Sequence, residues 1–179
     1  RRHGANLLGA VRESHPSSTS VPALHWARTA GILMGDLLLA SAHQIFARAD
    51  LPHETRVRLL DLLDHTVTET VAGEQTDVGL SDGVIAPDLH TILSMTTHKT
   101  ATYSFELPLR AAAILADAPE TTERALATAG QHLGLAFQLQ DDLLSAFGDP
   151  REHGKDSFSD LREGKQTVII AYARMTSSW

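Results

Sequence analysis

Two adjacent aspartates, Asp141 and Asp142, sit inside "FQLQDDLLSAFGDP" (137–150), a stretch otherwise dominated by Leu, Ala and Phe. An unpaired carboxylate is costly to bury, so the pair must face water or something positive. On a wheel of about 100° per residue, Gln131, Gly134, Gln138, Asp141, Asp142 and Ser145 fall within an arc of roughly 100°. Leu133, Ala136, Phe137, Leu139, Leu143, Leu144, Ala146 and Phe147 cover most of the remainder. A surface helix has the opposite proportions. The expectation is a helix buried on most sides, with a thin acidic seam facing a cavity. Neighbouring carboxylates repel unless a cation sits between them. One or two carboxylates per ion, completed by water and phosphate oxygens, suit Mg²⁺. The seam therefore points to a magnesium site, with Asp141 and Asp142 as ligands, that holds a phosphorylated molecule. A solvated Asp–Asp pair is the competing reading.

A phosphorylated ligand also calls for cations. The loop beyond the acidic helix offers Arg151, Lys155, Arg162 and Lys165, interleaved with Asp160 and Glu163. Gly154 and Gly164 precede the two lysines and let the backbone turn each ammonium inward. Upstream, Lys99 and Thr100 in "HKTATYSFELPLR" are expected at the start of an apolar helix. Lysine opposes the helix dipole there, while free N–H groups favour an anion. Each lysine alone reads as a solvated surface residue; with the acidic seam they form a constellation.

The elements that must position these groups read as helices. After a Ser-rich loop, "SHPSSTSVP", apolar residues recur at threes and fours from Ala23 to about Ala49, with Gly31 and Gly35 implying close packing. A second helix spans about His53–Thr76, followed by "GLSDG" as a turn. Pro87 is expected to open a third, and Lys99–Ala116 forms a fourth. The fifth runs from Pro119 to Phe147, closed by Gly148, Asp149 and Pro150, and a last helix covers about Ser159–Thr176. No strand pattern or internal repeat is present. The fold class is all-α, a bundle of long helices in a single domain.

With 179 residues the chain can bury a core, and 42% hydrophobic against 21% charged residues excludes a disordered chain. A net charge of -7 argues against nucleic-acid binding, which needs a basic face. The absence of cysteine excludes disulfides and thiolate zinc sites and makes a reducing cytoplasm the default compartment. Uncharged runs such as Leu37–Ala47 are too short to span a bilayer, so no transmembrane segment is expected. The first residue is Arg1, and the chain stops just past a helical pattern, which reads as a fragment of something longer.

"FQLQDDLLSAFGDPREHGKDSFSDLREGKQT" resembles the second aspartate-rich region of the trans-isoprenyl diphosphate synthases, the polyprenyl synthetase family. "HKTATYSFELPLRAAAILADA", "GILMGDLLLASA" and "AGEQTDVGL" are similar to further elements of that family, in the same order over most of residues 23–176. The chain looks like an actinobacterial geranylgeranyl or polyprenyl diphosphate synthase. The resemblance implies the isoprenoid synthase fold, mostly antiparallel helices around a central cavity. It also implies Mg²⁺-dependent condensation of isopentenyl diphosphate with an allylic diphosphate, by ionisation to an allylic carbocation. Catalytic roles fall on Asp141, Asp142, Lys99 and Lys155. Asp141 and Asp142 would bind Mg²⁺, with Gln138 beside them. Lys99, Thr100 and Lys155 would contact the allylic diphosphate, with Lys165 behind. Arg1 and Arg2 match the paired arginines that serve the two diphosphates. A cytoplasmic homodimer is implied, with the Ala23–Ala49 helix as interface.

The sequence departs from the family pattern at three places. Ser145 replaces the last acid of Asp-Asp-x-x-Asp, Glu74 stands where Gln is usual, and His3 follows the arginine pair. The family's first Asp-Asp motif is expected before Arg1 and its C-terminal helices after Trp179. The alternatives are a non-catalytic regulatory subunit, which Ser145 permits, and a class I terpene cyclase, whose second metal motif is absent. Ten histidines lack the spacing of a metalloprotein site.

Overall fold

A computed structural model describes residues 10, 21–149 and 158–177. It is helical, with no strand among the described residues. Close contacts divide the chain into two compact units, Arg1–Asp50 and Leu51–Trp179.

In the first unit, α1 spans Val21–Ala47. Its Leu24–Ala47 stretch, with mean hydropathy 1.3, is by length and composition long enough to cross a membrane. Counting only uncharged runs misses this, because Arg28 and Asp36 interrupt them. Core helices of soluble proteins share the composition, and each charge would cost about 3 kcal/mol at a bilayer centre. Trp26, Leu33, Leu37, Leu38 and Ile45 are exposed. Among the described residues, a Cβ on Gly31 or Gly35 would meet nothing within 4 Å, so the close packing expected at them is not formed with any described element.

The second unit begins with α2, His53–Ser81, which buries Leu59, Leu62, Leu63, Thr66, Gly73 and Leu80 along one face. It continues through Gly79, where a turn is expected, because one glycine costs only about 1 kcal/mol against a ladder already formed. The turn falls at Asp82–Gly83 instead, with Gly83 at φ +71°. The N–H groups of Val84 and Ile85 both return to the Gly79 carbonyl. Helix α3, Leu89–Thr96, is opened not by Pro87 but by Asp88, whose carboxylate accepts from Thr91 N at 3.0 Å.

Beyond α3 the structure departs from the sequence expectation, because no helix starts at Lys99. The chain passes without a break into a π-helical segment, Thr97–Glu106, and then into α4, Leu107–Leu115. Thr97 and Leu107 at the two junctions both keep helical dihedrals. Pro108 supplies a reason for the wide turns: a proline inside a helix lacks the N–H and clashes with the carbonyl four residues back. Passing from five-residue to four-residue spacing at this point relieves the clash. Lys99 therefore sits inside a continuous helical run, and the free N–H groups inferred for it are absent.

Helix α5, Glu120–Phe147, buries Glu123, Gly130, Gly134, Asp142 and Ser145. Leu133, Phe137, Leu143 and Phe147 are exposed. The expected seam is thus present but is itself the buried face, and the apolar sides are not buried. The π-segment and α4 pack along α5 on that face, and its outer side is left uncovered within this unit. The last expected helix is two: α6, Ser159–Arg162, and α7, Val168–Thr176. Gly164 at φ +73° separates them, and Thr167 caps α7 by accepting from Ile170 N. Leu80, Ile92, Met95 and Ala171 form an apolar cluster joining α2, α3 and α7.

At the far end of α5, Glu123 accepts from Arg58 at 2.8 Å and from Arg110 at 3.1 Å. Arg110 also reaches Glu106 at 3.0 Å, and Gln131 donates to the same carboxylate. This network ties α2, the π-segment, α4 and α5 together. Removing one member of a buried ion pair costs about 3–5 kcal/mol. The arginines here stay partly solvated, so Glu123→Ala is expected to cost about 2 kcal/mol, read as a lower urea midpoint. An unchanged midpoint would mean that the network contributes nothing to stability.

Candidate functional site

The second unit contains a recess of about 120 Å³ lined by Asp77, Met95, Thr96, Lys99, Thr100, Gln138, Asp141, Asp142, Asp160, Lys165, Gln166 and Thr167. Helix α2 supplies Asp77, α3 and the π-segment supply Met95 to Thr100, and α5 supplies the seam. The α6–α7 junction closes the far side. At this size the recess accepts a polar head group rather than a whole drug-sized molecule, which needs roughly 300 Å³ or more.

Its floor is a short relay. Thr100 Oγ1 donates to Gln138 Oε1 at 3.1 Å, and Gln138 Nε2 donates to Asp142 Oδ1 at 2.8 Å. Asp142 is buried and Asp141 half-buried. The Gln138 amide thus orients one carboxylate of the pair, helped by the helical spacing that stacks residues 138 and 142. The two lysines stand on opposite walls. Lys99 Nζ pairs with Asp77 and with Glu74 at 2.8 Å. Lys165 Nζ pairs with Asp160 and Glu163, each at 3.1 Å. For both, burial pulls the ammonium pKa down, but hydrogen bonds and charge from the paired carboxylates outweigh it, and the net direction is up.

Among the described residues, the lining brings four aspartates, Asp77, Asp141, Asp142 and Asp160, together with two lysines. Aspartates in such a lining repel a dianionic ligand unless cations accompany it. The donor set suits such cations: all carboxylate and amide oxygens, hard ligands without thiolate or imidazole. Among the described residues, no cluster of three or more His, Cys, Asp or Glu is arranged to hold a metal unaided. Two adjacent carboxylates that leave positions for water and phosphate oxygens fit the preference of Mg²⁺.

Five of the sequence-selected residues converge here with Lys165: Lys99, Thr100, Gln138, Asp141 and Asp142. Arg1, Arg2 and Lys155 lie outside the described residues. Asp77, Asp160, Gln166 and Thr167 join the lining without a role expected from the sequence. Asp77 lies one turn after Gly73 in "GEQTD", and Thr167 carries the cap signature of a Thr before an apolar run. Next to the recess, Phe147, Phe158, Leu161, Ile169, Ile170 and Ala173 line an apolar cavity of about 200 Å³ that shares Asp142, Asp160 and Thr167 with it.

The fold and site define an all-helical protein with an acidic, lysine-flanked pocket suited to a metal-bridged anion. The chain belongs to the polyprenyl synthetase family, whose model matches residues 12–178. It is 35% identical over 141 residues to the geranylgeranyl diphosphate synthase of Sulfolobus acidocaldarius, covering 78% of this chain and 42% of that protein. It is 32% identical over 166 residues to the geranylfarnesyl diphosphate synthase of Aeropyrum pernix, covering 91% and 50%. In structure it is similar to the geranylgeranyl pyrophosphate synthase of Corynebacterium glutamicum complexed with isoprenyl diphosphate and magnesium. That match has a TM-score of 0.88 at 32% identity and covers 99% of this chain and 51% of that one. The chain thus spans about half the length of the relatives it matches.

The raised Lys99 pKa carries a testable sign. A cation whose folded pKa exceeds its unfolded value stabilises fully below the unfolded value, here 10.5, and loses that contribution as pH rises through the folded one. The stability difference between the wild type and Lys99→Met should therefore stay flat from pH 6 to 9 and shrink only above about 10.5. A difference that collapses near neutral pH would contradict the Asp77–Lys99–Glu74 pairing.

Proposed function

We propose that this chain carries the second metal and diphosphate site of a prenyltransferase. The protein that contains it condenses isopentenyl diphosphate with an allylic diphosphate to give a longer all-trans product. The observation that carries the reading is the mixed lining of the recess: the Asp141–Asp142 pair stands with Lys99, Thr100, Gln138 and Lys165, and a metal-bridged diphosphate calls for both carboxylates and lysines. The relatives named for geranylgeranyl and geranylfarnesyl diphosphate support it.

Bound Mg²⁺ would supply charge neutralisation at the leaving diphosphate. Asp141 and Asp142 would hold it, with Gln138 fixing the orientation of the Asp142 carboxylate. Lys99 would turn part of its charge from Asp77 and Glu74 toward the diphosphate oxygens, and Thr100 would donate to them. Lys165 would do the same from the opposite wall. All these groups stabilise negative charge that grows as the allylic C–O bond breaks, so they act more strongly at the transition state than on bound substrate. Lys155, Arg1 and Arg2 are proposed to add cationic contacts to the two diphosphates. Residues 1–179 are proposed to be part of a single catalytic domain, an idea the family match across both units supports. A cytoplasmic homodimer fits the cysteine-free composition and the exposed apolar residues of α1.

The test uses the full-length protein with radiolabelled isopentenyl diphosphate, an allylic diphosphate and Mg²⁺, with EDTA as control. Chain-extended product that vanishes in EDTA is expected, and Asp141→Ala should lower the rate by about 100-fold or more. Near-normal turnover in that variant would sink the metal assignment. Absence of product with diphosphate binding intact would favour a regulatory subunit.

Ser145 offers a second check. It is 2% exposed beside Asp142, so Ser145→Asp would bury a further carboxylate. That variant should melt below the wild type in EDTA and regain most of the loss in millimolar Mg²⁺, because binding to the folded state stabilises it. A melting temperature unaffected by Mg²⁺ would argue against a cation at this seam.

A further inference from the structure

Gly73 and Gly134 lie on α2 and α5, the two helices that pack against the π-segment. A Cβ on Gly73 would stand 2.4 Å from the Lys99 backbone nitrogen and 2.8 Å from its Cα. One on Gly134 would stand 2.3 Å from Ala101 Cβ and 2.4 Å from Ala101 Cα. Such distances are far inside van der Waals contact, and a backbone cannot rotate away as a side chain can. A π-turn is wider than an α-turn, so it protrudes toward its neighbours. Only glycine leaves room for it on both sides.

The same arrangement occurs twice. One turn after Gly73, on the same face of α2, stands Asp77, which pairs with the Lys99 ammonium. One turn after Gly134, on the same face of α5, stands Gln138, which accepts from the Thr100 hydroxyl at 3.1 Å. Each flanking helix admits the segment's backbone at a glycine and catches its functional side chain four residues on. We infer that Gly73 and Gly134 are positioning residues for Lys99 and Thr100, setting where their ammonium and hydroxyl stand in the recess. The consequence for a diphosphate ligand rests on the function proposed above, whereas the placement of Lys99 does not.

Gly79 provides the control. It lies on α2 as well, but its Cβ would meet the side chain of Ile85, at 2.7 Å from Cδ1, away from the recess. Gly79→Ala should therefore lower stability without moving Lys99.

The experiment uses the full-length protein with its lysines ¹³C-methylated. The Lys99 signal is assigned by its loss in Lys99→Arg; this chain contributes only Lys99, Lys155 and Lys165. Inorganic pyrophosphate with Mg²⁺ is titrated by calorimetry. Gly73→Ala is expected to fold, to shift the Lys99 signal toward that of an unpaired lysine, and to weaken pyrophosphate binding by tenfold or more, since about 1 Å of misplacement can cost on the order of 100-fold. Gly134→Ala is expected to weaken binding similarly without shifting the Lys99 signal as far, while Gly79→Ala changes neither. An unshifted Lys99 signal and unchanged affinity in a folded Gly73→Ala would overturn the inference. So would failure of both Gly73→Ala and Gly134→Ala to fold while Gly79→Ala folds, since the glycines would then be packing elements only. If the wild type binds no pyrophosphate but Gly73→Ala still shifts Lys99, the positioning stands and the diphosphate reading falls.

Discussion

A wide helical turn pressed between two helices is the constraint on which the second unit depends. The π-segment Thr97–Glu106 contributes both Lys99 and Thr100 to the recess, and a Cβ at Gly73, Gly130 or Gly134 would collide with it. A π-turn is uncommon because its hydrogen bonds are less well formed than those of an α-helix, so neighbouring structure must hold it. Here Pro108 makes the α-ladder unavailable just downstream. The Glu106–Arg110–Glu123–Arg58 network anchors the far end of the segment to α2 and α5. The near end is held instead by the pairs of Lys99 with Asp77 and Glu74 and by the Thr100–Gln138 hydrogen bond. One end is structural and the other is the site.

Electrostatics decides what the site can accept. Each lysine described in the pocket is already held by acids, so neither is a ready-made anion receptor. Paired in this way, the ammonium groups cost little to keep half-buried, and their charge can be redistributed when a stronger acceptor arrives. A phosphate oxygen accompanied by a divalent cation would be such an acceptor, because the cation would balance Asp141 and Asp142 while the lysines turn from Asp77 and Asp160 toward the anion. Metal and anion are therefore expected to enter together, each lowering the cost of the other.

Much of this is legible from residue types. The seam Gln138–Asp142–Ser145 emerges from helical spacing alone; Gln138 and Asp142 line the recess, and Ser145 faces the adjoining apolar cavity. Lys99 and Lys165 are visible because they stand among apolar or acidic neighbours in a chain otherwise served by arginine. Three features are not fully legible. The π-segment has no sequence signature, so residue types place Lys99 at a helix start that does not exist. Gly164 is legible as a turning point for Lys165, but helical periodicity on either side carries the expected helix through it. The covering of α5 is not legible either, since a wheel shows which residues share a face but not which face a neighbour covers. That choice is made by Gly130 and Gly134, small residues that let the π-segment in, and hydrophobicity scales give such residues no weight.

The burial of Asp142 and Ser145 on α5 bears on the identity of residue 145. A polar face turned inward is tolerable only if its charges are few or compensated, and Asp142 is already buried with Gln138 as a hydrogen-bond donor. A third acid at residue 145 would add a further charge to the same low-dielectric wall whenever cations are absent. Serine there lowers that cost while keeping a hard oxygen within the seam. The exchange runs the other way once a cation arrives: with one carboxylate fewer, each ion is held less tightly and more of its coordination falls to water and to the oxygens of the ligand. On the function proposed above, a site built in this way would bind its metal largely through the anion that the metal escorts. Its occupancy would then track the concentration of diphosphate more closely than that of free Mg²⁺.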